Sequence, residues 1–433
     1  MKQQPVMSMS FSSKRSSLPS KISSRTRPDL CPSSELVDKA LGYLSILTGT
    51  ATICTLIGLQ VVLIPSAIAA KLGLTSNWFN NKSRIENQRR NTKGSPLIEK
   101  KNISNTETGS LTALKTLSAR STTARVGINP DYLAPKLMGK LSLYGKGIIG
   151  SYFVSQIYLQ MAKWHFDLTK RFIADQIVLL FSRWGVMELG ENAYLQCRTC
   201  WIDDCLETFL LKHSNIDDAS MDQDLESIYS ANGRMDANVN VVALGSGYDT
   251  RSYRFSKYFK AHFFEVDAIG TQVSKRKALE DAHIPEGSTI FVSCDFTSEN
   301  WLNKLIQCGM NPDLPTFLIW EGVTMYLKSK VVKQTLHLVG SKLGKGSCIA
   351  FDYLDSKWAL SDKIVKMSTK AGEPFQFGLH GNEANDLIEK TDGLSMLEHE
   401  KRDDVVELYL PKHYDGRPVG FLGDFGGFIL AGR

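Results

Sequence analysis

The residues most able to do chemistry in this chain cluster in Leu244–Phe255, LGSGYDTRSYRF, which follows an apolar, β-branched run. Gly245 and Gly247 permit a tight turn and let a ligand approach the backbone. Twenty residues after Gly247, the run FFEVD ends in Asp267, with Glu265 two residues earlier on the same face. A carboxylate at the tip of a second strand can accept hydrogen bonds from ribose hydroxyls. A dinucleotide site would carry a third glycine to tighten the following helix beside a pyrophosphate. Here that position is Thr250, preceded by Asp249. An acid in the loop opposes a pyrophosphate, whereas S-adenosylmethionine has no phosphate and carries ammonium and sulfonium charges.

Further candidates lie around this pair of motifs. Leu195, Trp201, Ile202, Cys205, Leu206 and Phe209 form an apolar stripe at helical spacing, with Arg198 on it. A guanidinium on such a face needs an anion, either a structural carboxylate or a ligand. Cys197 and Cys200 form a C-x-x-C, but zinc would need a second ligand pair off this helix, and redox dithiols usually follow a strand. They read as packing cysteines, and no metal site is expected. No histidine falls in a recognisable motif, so no catalytic residue is nominated.

The elements that must position these groups are strands over Val239–Leu244, His262–Val266, Thr289–Cys294, Thr316–Trp320, Ser347–Tyr353, Val405–Leu410 and Gly427–Ala431. The first five alternate with helical or loop segments such as Gln272–Asp281, Glu299–Gln307 and Lys330–Leu343, which predicts a doubly wound, mostly parallel α/β sheet. The last two are separated by a loop without helical periodicity and predict an antiparallel pair at the sheet end. Ligands of such sheets bind beyond the carboxyl ends of the strands, where the strand order reverses.

LGSGYDTRSYRF, EVD with Gln272 and Lys275, CDF (Cys294–Phe296), IWEGVTMYL (Ile319–Leu327), GEPFQFGL (Gly372–Leu379) and, upstream, QCRTCWIDD (Gln196–Asp204) resemble, in order, motifs of the leucine carboxyl methyltransferase family. The likeness is greatest to its broader branch of S-adenosylmethionine-dependent O-methyltransferases, and spans about residues 125–433. It implies a class I methyltransferase Rossmann-like domain over residues 191–433 with S-adenosyl-L-methionine as cofactor. It also implies roles: Arg198 holds the cofactor carboxylate, Gly245 and Gly247 form the cofactor loop, and Asp267 binds ribose with Glu265 as a reserve. Asp295 and Phe296 bracket the adenine, and Glu321 lies beside the methionine moiety. Asp249, Thr250 and Arg251 brace the loop. Tyr248 stands where the family often has an aliphatic residue, and would narrow the cleft. Residues 125–190 are expected to be a helical lid that sets specificity.

The N-terminal third has a different character. Residues 1–39 are Ser-rich and basic, the composition of a transit peptide or a disordered tail. Ala40–Ala70 is uncharged over 31 residues, enough for a membrane-spanning helix, although Thr, Gln60 and Pro65 dilute it. A buried helix or a cleaved targeting signal are the alternatives. Residues 71–124 are polar and read as a flexible linker. Gly147–Ala162, an apolar stretch of 16, is short for a span. The expectation is one N-terminal span that holds the protein on a membrane, an organelle among the addresses; basic residues on both sides leave its orientation open.

Charge supports this division. Residues 1–135 carry 18 Lys and Arg against 7 Asp and Glu, while residues 136–433 carry 33 against 38. The acidic balance of the C-terminal part makes a nucleic-acid partner the least attractive. The expected activity is methyl transfer to an oxygen, carboxylate or hydroxyl, of a small molecule or a protein C-terminus. A membrane-tethered cofactor-binding protein without catalysis and an NAD-type oxidoreductase are the rivals.

Overall fold

A computed structural model describes residues 110–125, 129–141, 189–214, 216, 225–296, 298–370, 372–410 and 425–433. The basic tail, the apolar run at 40–70, most of the linker and the stretch at 147–162 lie outside the described residues. Among the described residues, no helix is long and apolar enough to cross a membrane.

The described chain opens with helices α1 (Leu111–Arg125), α2 (Ala134–Lys140), α3 (Leu189–Lys212) and α4 (Leu225–Asn232). There follow β1 (Met235–Leu244), α5 (Arg251–Phe255), β2 (Phe259–Asp267), α6 (Ile269–Asp281), β3 (Ile290–Ser293) and α7 (Trp301–Gln307). Next come β4 (Thr316–Trp320), a 3-10 turn over Thr324–Tyr326, α8 (Ser329–Lys342) and β5 (Cys348–Leu354). The chain closes with α9 (Ser356–Ala359), α10 (Asp362–Lys370), α11 (Glu383–Glu389), β6 (Ser395–Glu400), α12 (Arg402–Tyr409) and β7 (Gly426–Gly432).

The strands form one seven-stranded sheet in the order β3-β2-β1-β4-β5-β7-β6. β1 to β5 are parallel, and β7 runs antiparallel between β5 and β6. β4 is buried along its whole length, as a central parallel strand covered on both faces should be. One face packs Trp201, Leu206 and Leu210 of α3 against Val241, Phe263 and Phe317. The other packs Leu302, Leu336 and Ile388 against Val242, Leu318 and Ile349. A third cluster joins Leu114 and Leu117 of α1 and Leu137 of α2 to Leu279 of α6. Strand order reverses between β1 and β4, and the crevice opens beyond Leu244 and Trp320.

Two expectations are corrected. Val405–Leu410 is not a strand: Val405–Tyr409 is the greater part of α12, and Leu410 is its C-cap. Asp403 and Asp404 occupy its first turn, and the Asp404 carboxylate accepts from Lys401 N (3.1 Å). These acids favour a helix N-terminus, and Val405 and Tyr409, four apart, are buried on one side. The antiparallel partner of β7 is β6 instead, a charged edge strand with a register shift between Met396 and Glu398. Residues 111–124 are not linker either, for α1 packs Leu114, Leu117, Arg120 and Ser121 at helical spacing. With two large apolar residues on that face, the periodicity is faint.

Candidate active site

At the end of β1 the chain turns through Gly245, whose N–H donates to Val266 O (2.8 Å) at φ +70°. A Cβ there would lie 2.5 Å from Val323 Cγ2, so only glycine fits both the angle and the space. Gly247, at φ +45°, donates its N–H to Asp267 Oδ2 (2.6 Å). Asp267 Oδ1 accepts from Ala268 N (2.7 Å). Two backbone donors thus fix the carboxylate, with lone pairs left over for hydroxyl donors. Burial raises the Asp267 pKa, against the pull of these two N–H groups.

Glu321 follows β4 and sits between two arginines. Its Oε1 accepts from Arg198 Nε (2.9 Å), and its Oε2 from Arg251 Nη1 (2.5 Å). Burial alone would raise its pKa, but Arg251, Arg198 and Arg120 pull it down to about 2, so it stays ionised. Arg198 also donates Nη1 to Asp352 Oδ2 (2.7 Å), and Asp352 Oδ1 accepts from Gly322 N (2.6 Å). A Cβ on Gly322 would press within 3.2 Å of the Arg198 guanidinium. Arg251 in turn meets Asp249 (2.5 Å) and Asp203 (2.6 Å), and Arg254 meets Asp203 (2.6 Å). The bracing expected of Asp249, Thr250 and Arg251 is present: Asp249 Oδ1 also accepts from Arg251 N (2.7 Å), and Thr250 Oγ1 donates to Asp131 Oδ1 (2.6 Å). Because Arg251 matches it, the Asp249 charge does not stand alone in the loop.

These groups line one cleft of about 360 Å³, a size suited to a small cofactor. Arg198, Gly245, Gly247, Asp267, Phe296 and Glu321 all border it. Asp295 does not; it is exposed beside the rim, where Ser298 Oγ donates to its Oδ2 (2.9 Å). Glu265 is no reserve for Asp267. It is fully buried, bound to Lys275 Nζ (2.5 Å) and Ser252 Oγ (2.5 Å). The Tyr248 ring packs among Leu114, Leu117 and Leu279, and its hydroxyl lies 2.9 Å from Ser274 Oγ.

Several participants escaped the sequence reading. Ala113, Thr116 and Arg120 of α1 line the cleft, which therefore takes a wall from the segment read as linker. Glu373 lines it too and accepts from Ser110 Oγ (2.8 Å) and from Thr112 Oγ1. Tyr326 borders the same side, its phenol pushed up to about 12 by burial. The signal for Asp352 was an acid inside the otherwise apolar strand CIAFDYL. Cys197 and Cys200 are free, buried thiols whose pKa burial raises, as packing cysteines should be. Among the described residues, no cluster suited to a metal ion occurs.

The donor set fits S-adenosylmethionine. Glycines at 245 and 247 leave a cradle that a Cβ would fill. A fixed carboxylate and buried guanidiniums border the same cleft, groups that suit ribose hydroxyls and an amino-acid carboxylate.

Comparison with known proteins agrees. A family model described as Leucine carboxyl methyltransferase matches residues 225–340. That range holds Gly245, Gly247, Asp267, Asp295, Phe296 and Glu321, while Arg198 and α1 lie upstream of it. A protein of Mycolicibacterium gilvum named "Putative S-adenosyl-L-methionine-dependent methyltransferase" is 30% identical over 131 residues, 30% of this chain and 43% of that one. A protein of the same description from Parafrankia is 27% identical over 186 residues, 43% of this chain and 51% of that one. The chain spans about half the length of these curated relatives. A crystal structure of a duf574 family protein from Streptomyces avermitilis covers 63% of this chain and 95% of its own, at 13% identity and a TM-score of 0.38. These curated relatives carry the name of one class, S-adenosyl-L-methionine-dependent methyltransferases, to which the chain is similar over part of its length. Within it, the resemblance to the leucine carboxyl methyltransferase family read from the motifs is shown over residues 225–340.

Proposed function

We propose that the protein transfers a methyl group from S-adenosylmethionine to an oxygen of its acceptor, a carboxylate or hydroxyl of a small molecule or a protein C-terminus. The observation that carries this reading is the cleft at the strand-order reversal. There, Asp267 at the end of β2 and the Arg198–Glu321 pair beside β4 border one cavity. When bound, the sulfonium cofactor supplies an activated methyl group. The protein's own residues supply alignment and a dry site. Asp267 accepts from the ribose hydroxyls, Phe296 offers a ring to the adenine face, and Asp295 at the rim serves its amino group. Arg198 pairs with the carboxylate of the amino-acid tail, and Glu321 sets that guanidinium in place and puts negative charge beside the ammonium. An acceptor carboxylate is already ionised, so no general base is required; a hydroxyl acceptor would benefit from one.

We further propose that residues 40–70 anchor this enzyme on a membrane, the uncharged length being the support. The test of the activity is transfer of labelled methyl from S-adenosylmethionine into a cell extract, followed by mild base. Label in an acceptor that leaves as methanol marks an ester, and label that resists base marks an ether. Label found on nitrogen or carbon, or no label with cofactor demonstrably bound, overturns oxygen methylation.

A further inference from the structure

The segment GEPFQFGL (Gly372–Leu379) lies beyond the family match at residues 225–340 and holds none of the residues assigned to the cofactor. The fold nevertheless pins it to the wall of the cleft. Gln376 N donates to Met325 O (2.7 Å), and Phe377 N to the same oxygen (3.2 Å). Glu373 N donates to Ser368 O of α10 (3.1 Å), and Phe375 N to Ser368 Oγ (3.1 Å). Held on both sides, Glu373 borders the cleft beside Tyr326. Its two oxygens accept from Ser110 Oγ (2.8 Å) and from Thr112 Oγ1, and it pairs with no Lys or Arg among the described residues. Each oxygen keeps a lone pair for a further donor. Glu321 and Asp249, by contrast, are matched by Arg251, and Asp267 is committed to two backbone N–H groups.

Tyr326 begins a row of rings that leads away from the cleft. Its ring centroid lies 5.3 Å from that of Phe375, Phe375 lies 6.5 Å from Trp358, and Trp358 lies 5.2 Å from Phe425. All four rings are only partly buried. Burial keeps the Tyr326 phenol protonated at neutral pH, so it is a donor and not a base. Among the described residues that line the cleft, only Arg120 and Arg198 are basic, against Asp249, Asp267, Glu321 and Glu373. A carboxylate brought to Glu373 would meet like charge with little to offset it. A neutral hydroxyl on a flat apolar body would meet a hydrogen-bond acceptor and a wall of rings. We propose that the methyl acceptor is an un-ionised phenolic hydroxyl whose ring packs on the Tyr326–Phe375–Trp358 row, and that Glu373 is the catalytic residue that takes its proton. The inference rests on oxygen methylation from S-adenosylmethionine and narrows it. As the O–H bond yields its proton to the Glu373 carboxylate, an oxygen lone pair forms the bond to the methyl carbon. The carbon–sulfur bond breaks with its electron pair passing to sulfur, leaving a neutral thioether, and Glu373 then releases the proton to water.

The test saturates the full chain with S-adenosylhomocysteine and titrates it calorimetrically at pH 7 with 2-naphthol and with 2-naphthoate, one flat body bearing a neutral hydroxyl or an ionised carboxylate. The naphthol should bind about tenfold or more tightly. Glu373→Gln should bring the two probes within about threefold of each other and leave S-adenosylhomocysteine affinity unchanged. Glutamine matches the shape of glutamate, and the Ser110 and Thr112 hydroxyls can accept from its amide, so the variant should fold. Phe375→Ala should weaken both probes alike, by about tenfold. Labelled methyl transferred in a cell extract should resist mild base, and the transfer should fall about a hundredfold or more in Glu373→Gln. Tighter binding of the naphthoate, a preference that Glu373→Gln leaves intact, or label released as methanol overturns the proposal. So do probes indifferent to Phe375→Ala, and a chain that binds S-adenosylhomocysteine and neither probe. A chain that binds no S-adenosylhomocysteine overturns the cofactor reading instead, and label on nitrogen or carbon overturns oxygen methylation.

Discussion

Replacing Glu321 by glutamine removes one negative charge from between two buried arginines, and its cost follows from the structure. Both carboxylate oxygens are engaged, at 2.9 Å with Arg198 and 2.5 Å with Arg251. The folded-state pKa is about 2 against an ordinary 4.5. At about 1.4 kcal/mol per pKa unit, that depression stabilises the fold by roughly 3 kcal/mol at neutral pH. Removing one partner of a buried pair costs about the same, roughly 3–5 kcal/mol, because the other charges stay buried. The depressed pKa also sets the sign of the pH dependence. The stabilisation is complete above the unfolded value of 4.5 and is lost as pH falls towards 2. Urea denaturation of wild type and Glu321→Gln should therefore show a gap of about 3 kcal/mol at pH 7, with unchanged m-values, shrinking by about 2 kcal/mol at pH 3. A gap under about 1 kcal/mol at pH 7, or one that does not shrink in acid, would refute the view that Glu321 is the electrostatic keystone of the site.

Other outcomes follow from the same geometry. Gly245→Ala should abolish cofactor binding by calorimetry while the protein still folds, since the added Cβ strains the loop and meets Val323 2.5 Å away. Asp267→Ala should weaken S-adenosylmethionine by about 1–3 kcal/mol through the lost ribose hydrogen bonds. Glu265→Ala should lower the urea midpoint by an amount equivalent to about 3–5 kcal/mol, as it leaves Lys275 buried without its 2.5 Å partner. Full-length protein should resist extraction from membranes by alkaline carbonate and lose that resistance when residues 1–103 are removed; extraction of the intact chain, or a mature N-terminus near Lys71, would refute the anchor.

The parallel half of the sheet was legible because its strands are short apolar runs ending in residues with distinctive chemistry. Leu244 runs into Gly245, Val266 into Asp267, and Trp320 into Glu321, so strand ends and site residues were found together. The antiparallel edge was not, because β6 carries Glu398, His399 and Glu400, while α12 has the β-branched pair Val405–Val406 inside a helix set by acids at its start. Arg198 was found on its apolar stripe, but its partner Asp352 needed the fold, being 154 residues away. Arg120 and α1 were passed over because LTALKTLSARSTTAR is short-chained and polar, and its burial depends on α2 and α6. Glu265 and Asp267 share a face in sequence, yet Lys275 captures one and the Gly247 N–H the other.

The central claim is that the cleft between the ends of β1 and β4 binds S-adenosylmethionine. Titration of the full chain with S-adenosylhomocysteine and, in parallel, with NAD tests it most directly. One saturable S-adenosylhomocysteine site per chain is expected, weakened in Asp267→Ala and lost in Gly245→Ala, with no comparable heat from NAD. Tighter binding of NAD, or S-adenosylhomocysteine binding that both substitutions leave untouched, would contradict it.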